Sequence, residues 1–215
     1  MSVTTSQQNT LAQSYLFLRR AIGIIGLALP VVLIVGNLIW PPGVLLLSIS
    51  SSYYSPLRGV FVGSMCALGV FLLSYRGYGR VDDVAGDIAA VAAVGVALFP
   101  TTPDFGPTTG TQQVVGGLHL AFAGIFFLTL VFFCWYLFPR TTDDPPTRQK
   151  LRRNAVYRVC GVLILLSIVL IAVTELINLT TSAHAMLWLE TVAILAFGVA
   201  WAVKGETMGV LRDLR

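Results

Sequence analysis

Six long apolar runs divide this chain of 215 residues, and they restrict its fold more than any other feature. The runs cover about 21–40, 57–76, 84–101, 114–138, 155–178 and 185–203, and charges, prolines or both bound each of them. One helix needs about 20 apolar residues to cross a bilayer. Within lipid the backbone must satisfy its own hydrogen bonds, which favours helices for such runs. The sequence therefore predicts an all-α, polytopic transmembrane bundle of six helices.

The composition argues against a water-soluble domain. Charged residues make up 11% of the chain and hydrophobic residues 56%, whereas soluble domains have about 25% charged residues. The mean hydropathy is +0.81. Because the six spans and their connections use nearly the whole length, we expect a single transmembrane domain over 1–215 with one flexible cytoplasmic loop at 139–154.

The basic residues predict the orientation of the bundle. Of the fourteen lysines and arginines, all but Arg58 flank the spans on one side. Cytoplasmic flanks retain positive charge, so we predict a multi-pass protein of a bacterial plasma membrane with both termini in the cytoplasm. This asymmetry accounts for the net charge of +4 without a nucleic-acid partner. Membrane lipids are the expected partners, with anionic headgroups near the loop at 139–154.

Small residues predict close packing between helices. Gly59 and Gly63 form a GxxxG pattern, and three alanines recur at intervals of four residues from Ala89 to Ala97. Such patterns let a neighbouring backbone approach closely. The apolar segment 43–50 is too short to span, so it is predicted to lie at the interface or to re-enter the bundle.

Ionisable side chains inside membrane spans are costly, which makes them candidates for function. Those of this chain fall in the outer half of the predicted bundle, where converging helices would form one polar pocket open to the outside. The predicted ligand-binding residues are Arg58, His119, Glu175, Glu190, Tyr53 and Tyr54. We expect Arg58 to lie within ion-pairing or single-water distance of Glu175 or Glu190, because an uncompensated charge at that depth is unfavourable. The same pair would also suit a purely structural role that fixes helix register.

Four segments carry a resemblance to a known family. SISSSYYSPLRGVFVG, ALFPTTP, GLHLAFAGIFF and LWLETVAILAFGVAWAVKGE, about a third of the chain, resemble the signatures of a bacterial family of six-span integral membrane proteins with a domain of unknown function. The resemblance implies six spans and importance for Arg58, His119 and Glu190. The chain departs from the family pattern at Ser55, because the family has a histidine near this position.

The chain also resembles, more distantly, ceramidase-like membrane hydrolases, in which serine, aspartate and histidine groups project from a helical bundle. The zinc site of that family needs three histidines, and this chain has only His119 and His184. Glu190 would have to complete a set of two histidines and one glutamate, and no HxxxH or HExxH spacing supports it. The three cysteines show no CxxC spacing. We therefore expect no metal and no cofactor, and the sequence assigns no catalytic residue.

Three functions fit these features. The first is binding or transport of a lipid-like or small polar ligand through the outward-facing pocket. The second is hydrolysis of a lipid or amide in the outer leaflet by the same residues, so the sequence leaves open whether the protein is an enzyme. The third is a non-catalytic subunit that packs in a homo-oligomer or a larger membrane complex. Nucleotide chemistry is not indicated, since GxGxxG and GxxxxGK[ST] loops are both missing from the sequence.

Overall fold

A computed structural model describes residues 5–77, 79–141, 145–176 and 184–206, with side chains described from residue 13 onward. The helices in these ranges are α1 (Thr5–Ile39), α2 (Arg58–Ser74), α3 (Arg80–Leu98), α4 (Gly110–Phe132), α5 (Arg148–Leu176) and α6 (Ala185–Lys204). A 3-10 helix covers Ser50–Tyr54, and a π-helical turn at Phe133–Leu137 extends α4. No strand occurs within these ranges, so the predicted all-α fold is confirmed.

The helices form a closed ring. Each helix packs on its neighbours in the chain, and α6 packs on α1 to close the ring. Neighbours run antiparallel: Gly26 in α1 faces Gly198 in α6, and Gly86 in α3 faces Leu72 in α2. One end of the bundle therefore collects the connection 40–57 and the N-termini of α2, α4 and α6, and we call it the serine end. The opposite end, which collects most of the arginines and lysines, is called the basic end.

Four of these helices are long and apolar enough to cross a membrane. They are α1 from Gln13, α4 with its π-helical turn, α5 and α6. α2 is a shorter apolar helix of 17 residues, and α3 carries Asp82 and Asp83 in its first turn. Large apolar side chains are exposed on the outside of the ring, for example Val91 at 63% and Leu128 at 55%. This surface is what a lipid-facing bundle presents, and the helices fit a membrane protein.

The small residues of α3 pack as the sequence predicts, whereas those of α2 do not. Ala89, Ala93 and Ala97 are at most 1% exposed. The predicted packing of the GxxxG pattern inside the chain is wrong, because a Cβ atom built at Gly59 or Gly63 meets nothing within 4 Å. Both glycines lie on the exposed surface of α2, where they contact no other helix of the ring.

The backbones of α1 and α6 approach each other closely at two glycines. A Cβ atom built at Gly23 would lie 2.6 Å from the backbone nitrogen of Ala202, and one built at Gly198 would lie 2.7 Å from that of Leu27. Glycine is required at both positions because any side chain would meet backbone rather than a movable side chain. This contact joins the first helix to the last and so determines that the ring closes.

The loop predicted at 139–154 is shorter than expected, because α5 already begins at Arg148. The Thr147 hydroxyl accepts a hydrogen bond from the Lys150 backbone N–H at 3.1 Å, as helix caps do. Lys150 Nζ donates to the carbonyl oxygens of Phe138 at 2.8 Å and Arg140 at 2.9 Å, which ties this turn to the end of α4. Positions 142–144 of the loop, and the predicted end of the fifth span at 178, lie outside the described residues.

Candidate functional site

The connection between α1 and α2 folds back into the serine end of the bundle. Ser48, Ile49, Ser51 and Ser52 are each at most 3% exposed, so this segment is an internal part of the structure. Non-helical backbone at membrane depth is tolerated only where protein groups satisfy its hydrogen bonds. Within 43–50, Ser48 and Ile49 are buried whereas Gly43 and Val44 are exposed, so the structure favours the re-entrant alternative for the end of this segment only. We call residues 46–55 the serine segment.

Glu190 in the second turn of α6 holds the serine segment from one side. Its Oε2 atom accepts hydrogen bonds from the backbone N–H groups of Ile49 at 2.5 Å and Ser50 at 3.2 Å. Its Oε1 atom accepts a third hydrogen bond from the Ser50 hydroxyl at 3.1 Å. These bonds pair backbone donors that the turn into the 3-10 helix would leave unsatisfied. A carboxylate is a strong acceptor for this purpose, because hydrogen bonds to charged groups are stronger than neutral ones.

Asp104, in the connection between α3 and α4, holds the serine segment from a second side. Its Oδ2 atom accepts a hydrogen bond from the Ser51 hydroxyl at 2.5 Å. The oxygen atoms of Ser51 and Ser48 lie 2.7 Å apart, and the Ser48 hydroxyl also accepts from the Ser51 backbone N–H at 2.9 Å. The serine hydroxyls therefore form a short chain from the protein interior to the Asp104 carboxylate.

Asn37 in α1 completes the attachment of the serine segment. Its side-chain nitrogen donates to the Leu33 carbonyl at 2.8 Å and lies 3.4 Å from the Ser52 hydroxyl oxygen. The residue is 5% exposed. Three separate parts of the ring, α1, α6 and the connection between α3 and α4, thus contact one short polar segment.

A cavity of about 220 Å³ lies beside the serine segment. We call it the carboxylate cavity, because its polar lining includes Asp104 and Glu175 together with Ser48 and His184. His184 is held in place by a hydrogen bond from its Nδ1 atom to the Leu46 carbonyl at 2.9 Å. The described lining contains no lysine or arginine, and the sequence of the adjoining residues 177–183 contains no charged residue.

Arg58, Tyr53 and Tyr54 lie together at the surface of the serine end. Arg58 donates to the Tyr53 hydroxyl at 2.5 Å, and its guanidinium carbon lies 4.0 Å from the centre of the Tyr53 ring. The Tyr54 hydroxyl donates to the Thr101 carbonyl at 2.7 Å. Burial raises the pKa of the Tyr54 phenol above its usual range; Tyr53 and Asp104 raise this pKa further, and Arg58 lowers it.

Among the described residues Arg58 forms no direct ion pair with Glu175 or Glu190, and the expected distance of one water molecule stays a prediction. The ion pairs within the described residues join Arg76 to Asp87 and Arg140 to Asp82, both at the basic end. Arg58 is exposed, so it keeps its hydration and stacks on Tyr53 instead of needing a buried carboxylate. Glu190 is paired with N–H groups of the serine segment, and Glu175 lines the carboxylate cavity.

His119 does not join the other predicted site residues. It is 2% exposed in α4, and its Nδ1 atom bonds the Phe99 carbonyl at 2.7 Å. That carbonyl lies just beyond the last turn of α3, where carbonyl groups have no partner within the helix. This hydrogen bond joins α4 to the end of α3, and a role of His119 in ligand binding stays a prediction.

A second cavity, of about 40 Å³, lies at the centre of the ring below Glu190. Its lining is apolar except for Glu190 and Ser50, and phenylalanines from three helices face it. Of the two histidines in the two-histidine, one-glutamate set, His119 bonds the Phe99 carbonyl and His184 the Leu46 carbonyl. No group of three histidine, cysteine, aspartate or glutamate residues is placed to hold a metal ion anywhere in the described part of the chain.

Of the three carboxylates that hold or flank the site, the predicted ligand-binding residues include Glu175 and Glu190 but not Asp104. Several of the other groups around them were also missed. Asn37 is the one polar amide in the apolar run 21–40, which is a signal for a buried hydrogen bond. The run of serines at 50–52 signals a segment that needs polar neighbours. Neither signal indicates which helix supplies the partner, because that depends on the order of the helices around the ring.

Comparisons with known proteins find no matching family model, no matching curated protein and no matching solved structure. The function is therefore inferred from the geometry of the serine end.

Proposed function

We propose that this chain is a six-span protein of the bacterial plasma membrane that binds, or moves across the membrane, a small polar ligand with a cationic group. The ligand occupies the carboxylate cavity, and the serine end faces outward. One observation carries the proposal: Asp104 and Glu175 line the same open cavity, and the described lining contains no lysine or arginine.

The six-span arrangement rests on the lengths of α2 and α3 and on the distribution of charge. A helix of 17 residues such as α2 is about 26 Å long, close to the thickness of the hydrocarbon core. The acidic residues of α3 fall in its first two turns, at the basic end, where they can reach the membrane surface. With the basic end in the cytoplasm, both termini are cytoplasmic and the orientation agrees with the positive-inside rule.

The chemistry of the carboxylate cavity favours a cation. Two carboxylates raise the local concentration of positive ligands, because a cleft lined by one sign of charge concentrates its field. Ser48 and His184 add hydrogen-bonding groups, and Leu47, Leu120 and Met186 provide an apolar wall. This combination suits an organic amine with a short apolar body.

The size of the cavity sets the size of the ligand. An apolar cavity of about 150 Å³ in a protein accommodates benzene, and the carboxylate cavity measures about 220 Å³. A primary amine with an aromatic ring therefore fits, whereas a complete phospholipid does not. If the ligand is lipid-like, only its amine headgroup enters the cavity.

The test compares benzylamine with benzyl alcohol, which has nearly the same shape and no positive charge. We expect the purified protein in lipid nanodiscs to bind benzylamine, measured by titration calorimetry, and Glu175→Gln to weaken this binding ~10- to 100-fold, because a hydrogen bond to a charged group contributes about 1.5–3 kcal/mol. Glu175 is exposed and holds no described part of the fold together, so the variant is expected to fold normally.

The matched control is Asp87→Asn, which removes one carboxylate from the basic end, where Asp87 pairs with Arg76 at 3.3 Å. Its affinity for benzylamine should stay within twofold of the parent. Equal binding of benzylamine and benzyl alcohol, or equal losses in the two variants, would show that the cavity does not select a cation.

The exposed glycines of α2 leave room for association as well. Gly59 and Gly63 lie on the outer surface of the ring with open space beside them, and such pairs allow close contact between membrane helices. Packing against a second copy or a larger membrane complex through this face is compatible with ligand binding at the serine end.

A further inference from the structure

A groove of about 570 Å³ lies on the outside of the ring between α3 and α4. Its walls are large apolar side chains that are between 39% and 55% exposed, namely Val81, Val84 and Ile88 of α3 and Leu128 and Phe132 of α4. The α3 residues recur at intervals of three and four positions, so they share one face of that helix. Arg80 lines the end of the groove that lies at the basic end. We call this feature the α3–α4 groove.

Small side chains give the α3–α4 groove its depth. Ala85 and Thr129 belong to the lining between the larger residues of the two walls, and Ala85 is 5% exposed, so it forms the floor. The Thr129 hydroxyl donates to the Ile125 carbonyl at 2.7 Å, so this polar group is satisfied within α4. Among the described lining residues only Arg80 carries a charge. The groove is therefore apolar along its length and charged at the end where α3 begins.

The dimensions of the α3–α4 groove match one lipid acyl chain. The lining from Arg80 to Ile88 extends about 12 Å along α3, at about 1.5 Å per residue. One leaflet of the hydrocarbon core is about 15 Å deep, half of the total of about 30 Å. An apolar cavity of about 150 Å³ accommodates benzene, and the groove has nearly four times that volume. A flexible apolar chain that lies along the helices therefore fits the groove over most of one leaflet.

The α4 wall of the groove continues into side chains that are typical of the membrane surface. The Phe132 ring stacks on the Tyr136 ring with 5.1 Å between the ring centres. The Arg140 guanidinium carbon lies 4.5 Å from the centre of the Tyr136 ring, and Arg140 donates to the Tyr136 hydroxyl at 3.1 Å. Tyrosine is enriched at the level of the lipid headgroups, because its ring is apolar and its hydroxyl is polar. The mouth of the groove therefore lies where a phospholipid carries its phosphate group.

Arg80 is the group at the mouth of the groove that can bind an anion. It is exposed, and the ion pairs among the described residues do not include it. The N-cap residue of α3 is Gly79, which supplies no side-chain cap, so the positive end of the helix dipole lies beside Arg80. The acidic residues of this first turn, Asp82 and Asp83, do not line the groove, and Asp82 is paired with Arg140 at 3.0 Å. The described charge that lines the groove is therefore positive.

We propose that the α3–α4 groove binds one phospholipid, with an acyl chain along the apolar walls and the phosphate group at Arg80. The guanidinium group suits this role, because it can donate two parallel hydrogen bonds to the oxygen atoms of a phosphate. The apolar walls supply most of the contact area, and Arg80 supplies the selection for phosphate. The six-span arrangement proposed above places the groove in the membrane, and the site does not depend on the cation proposed for the opposite end of the bundle.

The headgroup contact is tested with phosphatidylglycerol and with diacylglycerol of the same acyl chains, which lacks the phosphate. Native mass spectrometry of the purified protein measures the bound fraction of each lipid. We expect phosphatidylglycerol to bind about tenfold more tightly, and Arg80→Gln to remove this preference by weakening its binding alone by about tenfold. The control is Arg152→Gln, the same change at an exposed position of α5 at the basic end, which should bind both lipids like the parent.

The groove itself is tested with Val84→Trp. Because Val84 is 51% exposed, the indole group enters the groove rather than the protein core. The acyl chain then loses apolar contact, and binding of both lipids should weaken by about tenfold. The matched control is Val91→Trp on the same face of α3, because Val91 is 63% exposed but lies outside the groove lining. If Val84→Trp does not elute as a folded protein, Ile88→Trp replaces it with the same expected loss.

Four results would overturn the proposal. Equal binding of the two lipids by the parent would exclude the phosphate contact. Equal losses in Arg80→Gln and Arg152→Gln would show that the charge of the whole surface attracts the lipid. Equal binding by Val84→Trp and Val91→Trp would show that no acyl chain occupies the groove. A parent protein that elutes as a dimer, and that Val84→Trp alone converts to a monomer, would show that a second copy of the chain covers the groove.

Discussion

Replacing Glu190 by leucine is expected to destabilise the serine end more than any other single change of side chain. The variant leaves the backbone N–H groups of Ile49 and Ser50 without their acceptor. Because Ile49 is 1% exposed, a water molecule does not easily take the place of the lost carboxylate oxygen. An unsatisfied buried group costs about 1–3 kcal/mol, so the two together lower the free energy of unfolding by ~2–6 kcal/mol. Thermal unfolding in detergent should then shift down by roughly 10 °C.

Glu190→Gln is the matched control for this effect. The amide oxygen of glutamine can accept the two backbone hydrogen bonds that Oε2 accepts, and its NH₂ group can donate to the Ser50 hydroxyl. The variant loses only the charge, so we expect its unfolding midpoint to lie much closer to the parent than to Glu190→Leu. If Glu190→Leu melts like the parent, Glu190 does not hold the serine segment.

Gly198→Ala is expected to destabilise the ring at the contact of α1 with α6. The new Cβ atom would lie 2.7 Å from the Leu27 backbone nitrogen, inside the van der Waals limit, so the two helices must move apart. Overpacking of this kind costs about 1–3 kcal/mol. We expect a lower midpoint of thermal unfolding in detergent and, with Gly23→Ala added on the facing helix, a larger fall.

Gly117→Ala in α4 is the matched control, because it changes the helix propensity as Gly198→Ala does but adds no contact between helices. A Cβ atom at Gly117 meets nothing within 4 Å. Alanine stabilises a helix interior by roughly 0.5–1 kcal/mol relative to glycine, so Gly117→Ala should melt at or above the parent temperature. Equal effects of the two substitutions would mean that α1 and α6 are not in the close contact described above.

Apolar runs predict where helices cross, but not where they begin. The predicted run 185–203 matches α6, whose bounds are Ala185–Lys204, because polar residues flank the run directly: His184 precedes it and Lys204 follows it. By contrast, α1 begins at Thr5 and α5 at Arg148, well before the apolar runs at 21 and 155. A helix continues into water as long as its hydrogen bonds and caps support it. The start of an apolar run therefore indicates where the lipid-facing part of a helix begins, and the helix itself can begin earlier.

The sequence shows which ionisable side chains lie inside the apolar runs, but it does not show which groups are their hydrogen-bond partners. Glu190 stands out as the one charge within the run 185–203. Its partners are two backbone N–H groups and the Ser50 hydroxyl of a segment about 140 positions away. Backbone donors carry no sequence signal. His119 likewise pairs with the Phe99 carbonyl at the end of α3. No direct ion pair joins Arg58 to Glu175 or Glu190 among the described residues, and for Glu190 the backbone supplies the partner instead.

The most direct test of a cation site in the carboxylate cavity is the position of 4-bromobenzylamine in crystals of the protein, located by the anomalous scattering of bromine. We expect the bromine in the cavity beside Ser48 and Met186, with the ammonium group about 2.7–2.9 Å from a carboxylate oxygen of Glu175 or Asp104. Bromine in the central cavity below Glu190, on the lipid-facing surface alone, or at no defined position would contradict the proposal.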